Sequence, residues 1–320
     1  MTLHAWVESP LQFLNAVEYA HASGAPTAIH LRRDVSSVTR TAALLEPHLP
    51  TGVSVVPHGR SAMLSRFALA SQRVLGDAYS GQVRAVLAVA GGRRCVIVDD
   101  GSVMLALGQQ LADGRPLWRP GNDEGWPMRR LGAVATRRIR RGMSRGRVEV
   151  FTAYDQRAPF RELARQGARV TKNPYAWVRG IRLDQALGMH PTVVVGAALV
   201  PDGHLRGEPY LAWLRDRAAT GEVTYIPHRR ERGPWLDSIA AIPGVAVLHP
   251  GLPIEVVLGA ASASVGHVVT MPSSVVATLR AVLAPQVSLE VRSIPPEWWA
   301  DSASPTLRAM IEAIQEEDPT

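Results

Sequence analysis

Short apolar runs recur along the chain, separated by stretches whose apolar residues return at helical spacing. Leu3–Val7, Thr27–Leu31, Val53–Val56, Arg94–Val98 and Val148–Thr152 read as strands. The fourth ends in a run that is apolar on both faces, as a strand buried in a parallel sheet must be. Leu11–Ala20 and Ser36–Leu45 read as helices, Ala62–Leu75 is helical in pattern with Gln82–Val89 continuing it, and Met104 opens another. A loop spans 113–127, followed by helices at Met128–Met143 and Arg161–Gln166 and a Gly- and Pro-rich segment up to Pro191 that reads as a linker. Beyond it the alternation resumes, with strands at Val193–Val195, Val223–Ile226, Val245–Leu248, Ala263–Val269 and Val287–Val291. Helices fall at Tyr210–Arg217, Trp235–Ala241, Ile254–Ala261, Ser274–Leu283 and Pro305–Gln315. This pattern predicts an α/β protein made of two Rossmann-like, doubly wound parallel-sheet domains facing each other across a cleft. The expected boundaries are 1–180 and 181–304, with a closing helix at 305–318 able to pack back on the first domain.

In such folds the chemistry gathers where strands end. The run Val96-Ile97-Val98 stops abruptly at Asp99-Asp100-Gly101-Ser102. Side chains alternate along a strand, so at most one of the two carboxylates faces a cleft. Gly101 permits a sharp turn; an aspartate capping the next helix would give the same local pattern. After the first strand, Ser9 is a good N-cap and Pro10 suits the first helical position. Gln12, Asn15 and Glu18 then share one helical face, which is either a solvated surface or a polar lining beside the strand end. In the second half, His228 leaves a strand beside Arg229, Arg230 and Glu231, a setting suited to neutralising a phosphate. Glu255 falls in the first turn of a helix, favoured there by the dipole and able to accept from ribose hydroxyls. Ser273 and Ser274 open a helix whose free N–H groups suit an anion.

Composition narrows the partners. Hydrophobic content of 46% and charged content of 20% indicate a globular chain, and the formal net charge is +7. Nearly all the positive charge is arginine, Lys172 being the only lysine. A basic chain tends to meet anionic partners. Arg129, Arg130, Arg137, Arg138, Arg140 and Arg141, followed by Arg145 and Arg147, make one helix strongly cationic. That helix is either a solvated face or a docking patch for an anionic acceptor or acidic lipid surface. No nucleic-acid-binding signature accompanies the charge, so nucleic acid is not expected. The single cysteine, Cys95, excludes an internal disulfide and a multi-cysteine metal site. The first residues lack a basic n-region and no apolar run is long enough to span a bilayer, so a cytoplasmic protein is expected, with peripheral contact at the inner membrane face through Arg129–Arg147. A dinucleotide fingerprint, a P-loop and a nucleophile elbow are all missing.

Taken in order, Glu8-Ser9-Pro10-Leu11-Gln12 with Asn15, Asp99-Asp100-Gly101-Ser102, Pro227-His228, Pro253 with Glu255, and Ser273-Ser274 resemble the motifs of bacterial GT-B sialyltransferases and polysialyltransferases. The resemblance runs from residue 6 to about 280. One departure is that the family often has His followed by Pro, whereas Pro227 precedes His228; a His-Pro pair stands at His249-Pro250, and the resemblance through Arg229 and Glu231 favours His228. It implies inverting transfer of a nonulosonic, sialic-acid-like sugar from a CMP-activated donor to a hydroxyl of a glycan or other acceptor, as in polysaccharide biosynthesis. No metal or other cofactor is implied. Asp100 is the implied base and His228 the donor to the departing phosphate, held also by Ser273 and Ser274. Glu255 is the implied ribose ligand. Ser9, Gln12 and Asn15 are expected to touch the sugar, with Asp99, Gly101, Ser102, Arg229 and Glu231 as further substrate contacts. Another nucleotide-activated sugar, or an inert relative that binds nucleotide or anionic glycan, remains the alternative.

Overall fold

The computed structural model describes residues 2–32, 34–58, 60–90, 92–101, 103–183, 188–261 and 264–316. Its chain divides into two α/β units, Met1–Val178 and Arg179–Thr320. In the first, β1 (Leu3–Val7), α1 (Pro10–Ser23), β2 (Thr27–Arg32), α2 (Ser36–Leu45) and β3 (Val53–His58) form one winding. The second winding runs α3 (Arg60–Leu69), β4 (Gln72–Leu75), α4 (Gly81–Val89), β5 (Arg94–Val98), α5 (Val103–Asp113), α6 (Trp126–Met143), β6 (Val148–Thr152), α7 (Ala158–Arg165) and β7 (Arg169–Lys172). A short α8 (Ala176–Gly180) follows. The sheet is parallel throughout, in the order β3-β2-β1-β4-β5-β6-β7. The winding direction reverses between β1 and β4, and it is outside the carboxyl ends at such a reversal that open α/β sheets place their ligands.

Two of these strands depart from expectation. Gln72–Leu75 does not continue the preceding helix but forms β4, the neighbour of β1. The cause is Arg73, which is buried. It donates to the carbonyls of Phe67, Ala68 and Ala90, tying off the ends of α3 and α4 and supplying partners for terminal C=O groups that a helix leaves open. Arg169–Lys172 forms β7, an edge strand with no face fully buried, so it carries no apolar run to betray it.

The second unit runs β8 (Thr192–Val195), α9 (Gly207–Ala219), β9 (Val223–Ile226), α10 (Pro234–Ala240), β10 (Val245–Val247), α11 (Ile254–Ala260), β11 (His267–Thr270), α12 (Val275–Val282), β12 (Ser288–Val291) and α13 (Pro305–Glu316). Its parallel sheet has the order β10-β9-β8-β11-β12, with the reversal between β8 and β11. The core joins Val194, Tyr225 and Val269 of the sheet to Tyr210, Trp213, Trp298 and Trp299. The closing helix α13 falls in this unit, where Ile311 is part of that core and Leu307 packs on it. Among the described residues no helix is long and apolar enough to cross a membrane.

Candidate active site

At the reversal in the first sheet, three strand ends bring their polar residues together. β1 is followed by Glu8 and Ser9, β4 by Gly76 and Asp77, and β5 by Asp99 and Asp100. Ser9 caps α1, its Oγ accepting from the Gln12 N–H at 3.2 Å, and lies 3.5 Å from Asp100 Oδ1. The Gln12 side chain also bonds the Asp100 carboxylate. Its Oε1 accepts from the Glu8 N–H at 2.7 Å. Gly76 is compulsory here, because a Cβ would stand 2.8 Å from Gln12 Oε1 and 2.8 Å from the Trp6 carbonyl. Gly101 turns with φ 67, a left-handed conformation that suits glycine.

Strand alternation separates the paired aspartates as expected. Asp99 is wholly buried; its Oδ2 accepts from the Ala153 N–H at 2.7 Å, and Oδ1 has no hydrogen-bond partner among the described residues. Asp100 keeps 20% of its side chain exposed. Burial, then the neighbouring Asp77 carboxylate, pushes the Asp100 pKa up to about 7, against hydrogen bonds from Gln12 and Ser9 and the pull of Arg119. A carboxyl poised at that value is suited to accept a proton near neutrality. Arg119 is fixed over the Tyr79 ring and paired to Asp77 at 2.5 Å; Asp77 also accepts from the Tyr79 N–H.

Three residues expected to touch substrate are buried and bonded to neighbouring groups. Asn15 has no exposure; it donates to the Asp99 carbonyl and accepts from Asn173, so it fixes the β5 end rather than lining an opening. Gln12 is likewise buried and holds Asp100. Asp99 spends its carboxylate on the backbone of the neighbouring strand end. Ser102 lies outside the described residues.

In the second unit His228 follows β9. Its half-buried ring accepts from the Arg230 N–H at Nδ1, 3.3 Å away, which leaves Nε2 as the protonated donor of a neutral imidazole. Burial, with Arg230 and Arg229 alongside, holds its pKa below the usual histidine value. Glu231 is not open to substrate. Its Oε2 accepts from the His228 N–H at 2.7 Å, and Oε1 accepts from the Tyr225 hydroxyl at 2.7 Å and Trp235 Nε1 at 3.0 Å. The Tyr210 and Tyr225 hydroxyls are 3.0 Å apart, extending this buried network. Gly196, at the end of β8, makes room for it: a Cβ would stand 2.0 Å from Glu231 Oε2. Arg229 and His249 are exposed. Glu255 is 6% exposed in the first turn of α11, where its Oε1 accepts from the Thr278 hydroxyl of α12 at 3.0 Å. Ser273 and Ser274 precede α12 at the β11 end, both partly exposed.

Sequence reasoning missed Asp77, Arg119, Gly76 and Gly196. The available signal was Val74-Leu75-Gly76-Asp77, a short apolar run ending in a glycine and an acid, much as β5 ends in Asp99-Asp100-Gly101.

No protein-family model and no curated protein matches the sequence. Solved structures do. The E. coli heptosyltransferase WaaC with ADP-2-deoxy-2-fluoro heptose is 12% identical over 100% of both chains, with a TM-score of 0.51. The UDP-GlcNAc 2-epimerase from Neisseria meningitidis bound to UDP-GlcNAc is 10% identical over 98% of this chain and 85% of its own, with a TM-score of 0.53. These likenesses show the fold: GT-B, built of two Rossmann-like parallel-sheet units.

Proposed function

We propose that the protein is an inverting, metal-independent glycosyltransferase that moves a nonulosonic sugar from a CMP-activated donor to an acceptor hydroxyl. The observation that carries this reading is Asp100: a partly exposed carboxyl at the end of β5, beside the sheet reversal, with its pKa raised to about 7. In the proposed reaction the acceptor hydroxyl attacks the anomeric carbon, the bond from that carbon to the CMP phosphate oxygen breaks, and the hydroxyl proton passes to Asp100. A positioned base of this kind contributes typically about 10²–10⁴ in rate. Negative charge grows on the departing phosphate, and His228 donates to it from Nε2 while the hydroxyls and N–H groups at Ser273 and Ser274 hold it. Arg229 adds charge, Ser9 contacts the sugar, and Glu255 takes the ribose. The CMP donor and the roles of Ser273, Ser274 and Glu255 rest on the family resemblance.

The fold neighbours bound to ADP- and UDP-linked sugars favour one second reading, transfer from another nucleotide sugar. Thermal unfolding with CMP, UDP, ADP and GDP separates the two: CMP alone raising Tm supports the first, and UDP or ADP in its place supports the second. Turnover that survives EDTA supports the metal-free mechanism, and its abolition contradicts it.

A further inference from the structure

Segments 60–76, 78–98 and 125–148 of the first unit contain fourteen arginines and no aspartate or glutamate. Three of these arginines serve the fold: Arg73 on helix-end carbonyls, Arg84 on Glu124 and the Leu117 carbonyl, and Arg140 on the carbonyls of Leu111 and Ala112. Most of the others are exposed.

Arg66, Arg93, Arg138 and Arg147 lie at the amino end of the parallel sheet, opposite the strand ends that hold Asp99 and Asp100. Arg93 donates to the carbonyl of Leu69 at the end of α3, and Arg147 to that of Gly92 just before β5. Arg138 of α6 borders the same shallow depression as Arg93 and Gly92, and Arg66 borders a second one with Leu69. A guanidinium bonded to a carbonyl keeps its whole charge, so these arginines give this end of the unit exposed positive charge. On it stand the two most exposed large aliphatic side chains among the described residues, Val89 at 86% and Leu69 at 74%. Each is the last residue of its helix, and Arg73 bridges the two helix ends. A single exposed aliphatic side chain needs no explanation. Two of them, on helix ends bridged by Arg73 and beside exposed arginines, match a surface that meets anionic headgroups and dips apolar tips among them.

We infer that this face docks on an anionic lipid bilayer, with Arg66, Arg93, Arg138 and Arg147 on the headgroups and Leu69 and Val89 entering the interface. Nucleic acid would use the arginines but has no use for the aliphatic tips, since base stacking needs aromatic rings. Docked this way, the carboxyl ends of the strands, with Asp100, point away from the membrane. The inference is independent of the sugar chemistry and stands or falls without it.

Co-sedimentation of the full-length protein with vesicles tests it, using phosphatidylcholine alone or mixed with phosphatidylglycerol. Binding is expected only to the mixed vesicles. The double substitution Leu69→Ser with Val89→Ser is expected to weaken it about tenfold. Arg138→Glu is expected to weaken it at least about fivefold, the value of one basic residue near an anionic surface. Failure to bind phosphatidylglycerol vesicles overturns the inference. So does full binding by the aliphatic double variant, above all if single-stranded DNA competes for the site, because that marks a general polyanion surface.

Discussion

Asp77 and Asp100 share one cation. The Nη2 of Arg119 lies 2.5 Å from Asp77 and 4.0 Å from Asp100. The tight pair neutralises Asp77 only in part, and the residual repulsion is the second cause, after burial, of the raised Asp100 pKa. Asp77 thus sets how basic Asp100 is without touching it. The expected result of Asp77→Asn is an acid limb of kcat/KM displaced to lower pH, because the repelling charge is gone and Arg119 is released toward Asp100. A limb that stays in place assigns the raised pKa to burial alone.

The Asp99 carboxyl also sits at about 7, again chiefly through burial. A carboxyl whose folded pKa lies above its unfolded one stabilises the fold fully below the unfolded value, and that stability is lost as pH rises through the folded value. Stability should therefore fall between about pH 4 and pH 7. Asp99→Asn, which keeps an acceptor for the Ala153 N–H, should flatten that fall and gain about 1–3 kcal/mol at pH 8, with no gain at pH 4. Chemical denaturation at the two pH values reads both.

Glu231 and Gly196 hold the His228 turn. Gly196→Ala puts a methyl where Glu231 Oε2 now lies, and the carboxylate must leave both the His228 N–H and the Tyr225 hydroxyl. We expect Gly196→Ala and His228→Ala each to lower turnover about 10²–10³-fold, the scale of a lost donor to a developing anion. Gly196→Ala should also lower Tm, whereas His228→Ala should not. Parallel kinetics and melting curves distinguish the positioning fault from the missing donor.

Arg73 is buried and donates to three carbonyls, so its replacement leaves two helix ends open. Arg73→Met should cost roughly 2–4 kcal/mol, since bonds from a charged donor carry more than neutral ones and the carbonyls left behind are partly buried. Urea unfolding at neutral pH measures it.

The two-unit α/β fold was readable because buried parallel strands are apolar on both faces, and Val96-Ile97-Val98 and Val193-Val194-Val195 say so directly. β4 was not readable: Gln72-Arg73 looks like a helical polar face, and only the folded chain reveals that the Arg73 guanidinium is turned inward onto carbonyls. Missing that strand hid Gly76 and Asp77, and with them the sheet reversal at which Ser9 and Asp100 meet. The Asp99-Asp100-Gly101 step was legible because a strand ending in two acids and a glycine is unusual. What it left open was which acid faces outward. Asn15, Gln12 and Glu231 were recognisable as meaningful polar residues. In the folded chain they are buried and bonded to neighbouring groups, which the sequence pattern does not reveal.

The decisive quantity is the rate of CMP release from a CMP-activated nonulosonate in the presence of a hydroxyl acceptor, followed from pH 5 to 9 for the wild type and for Asp100→Asn. The wild-type rate should rise through about pH 7 as Asp100 ionises. Asp100→Asn should lose about 10²–10⁴ in kcat and the acid limb with it, while CMP still raises its Tm. Turnover left intact by Asp100→Asn would remove the proposed base and contradict the account.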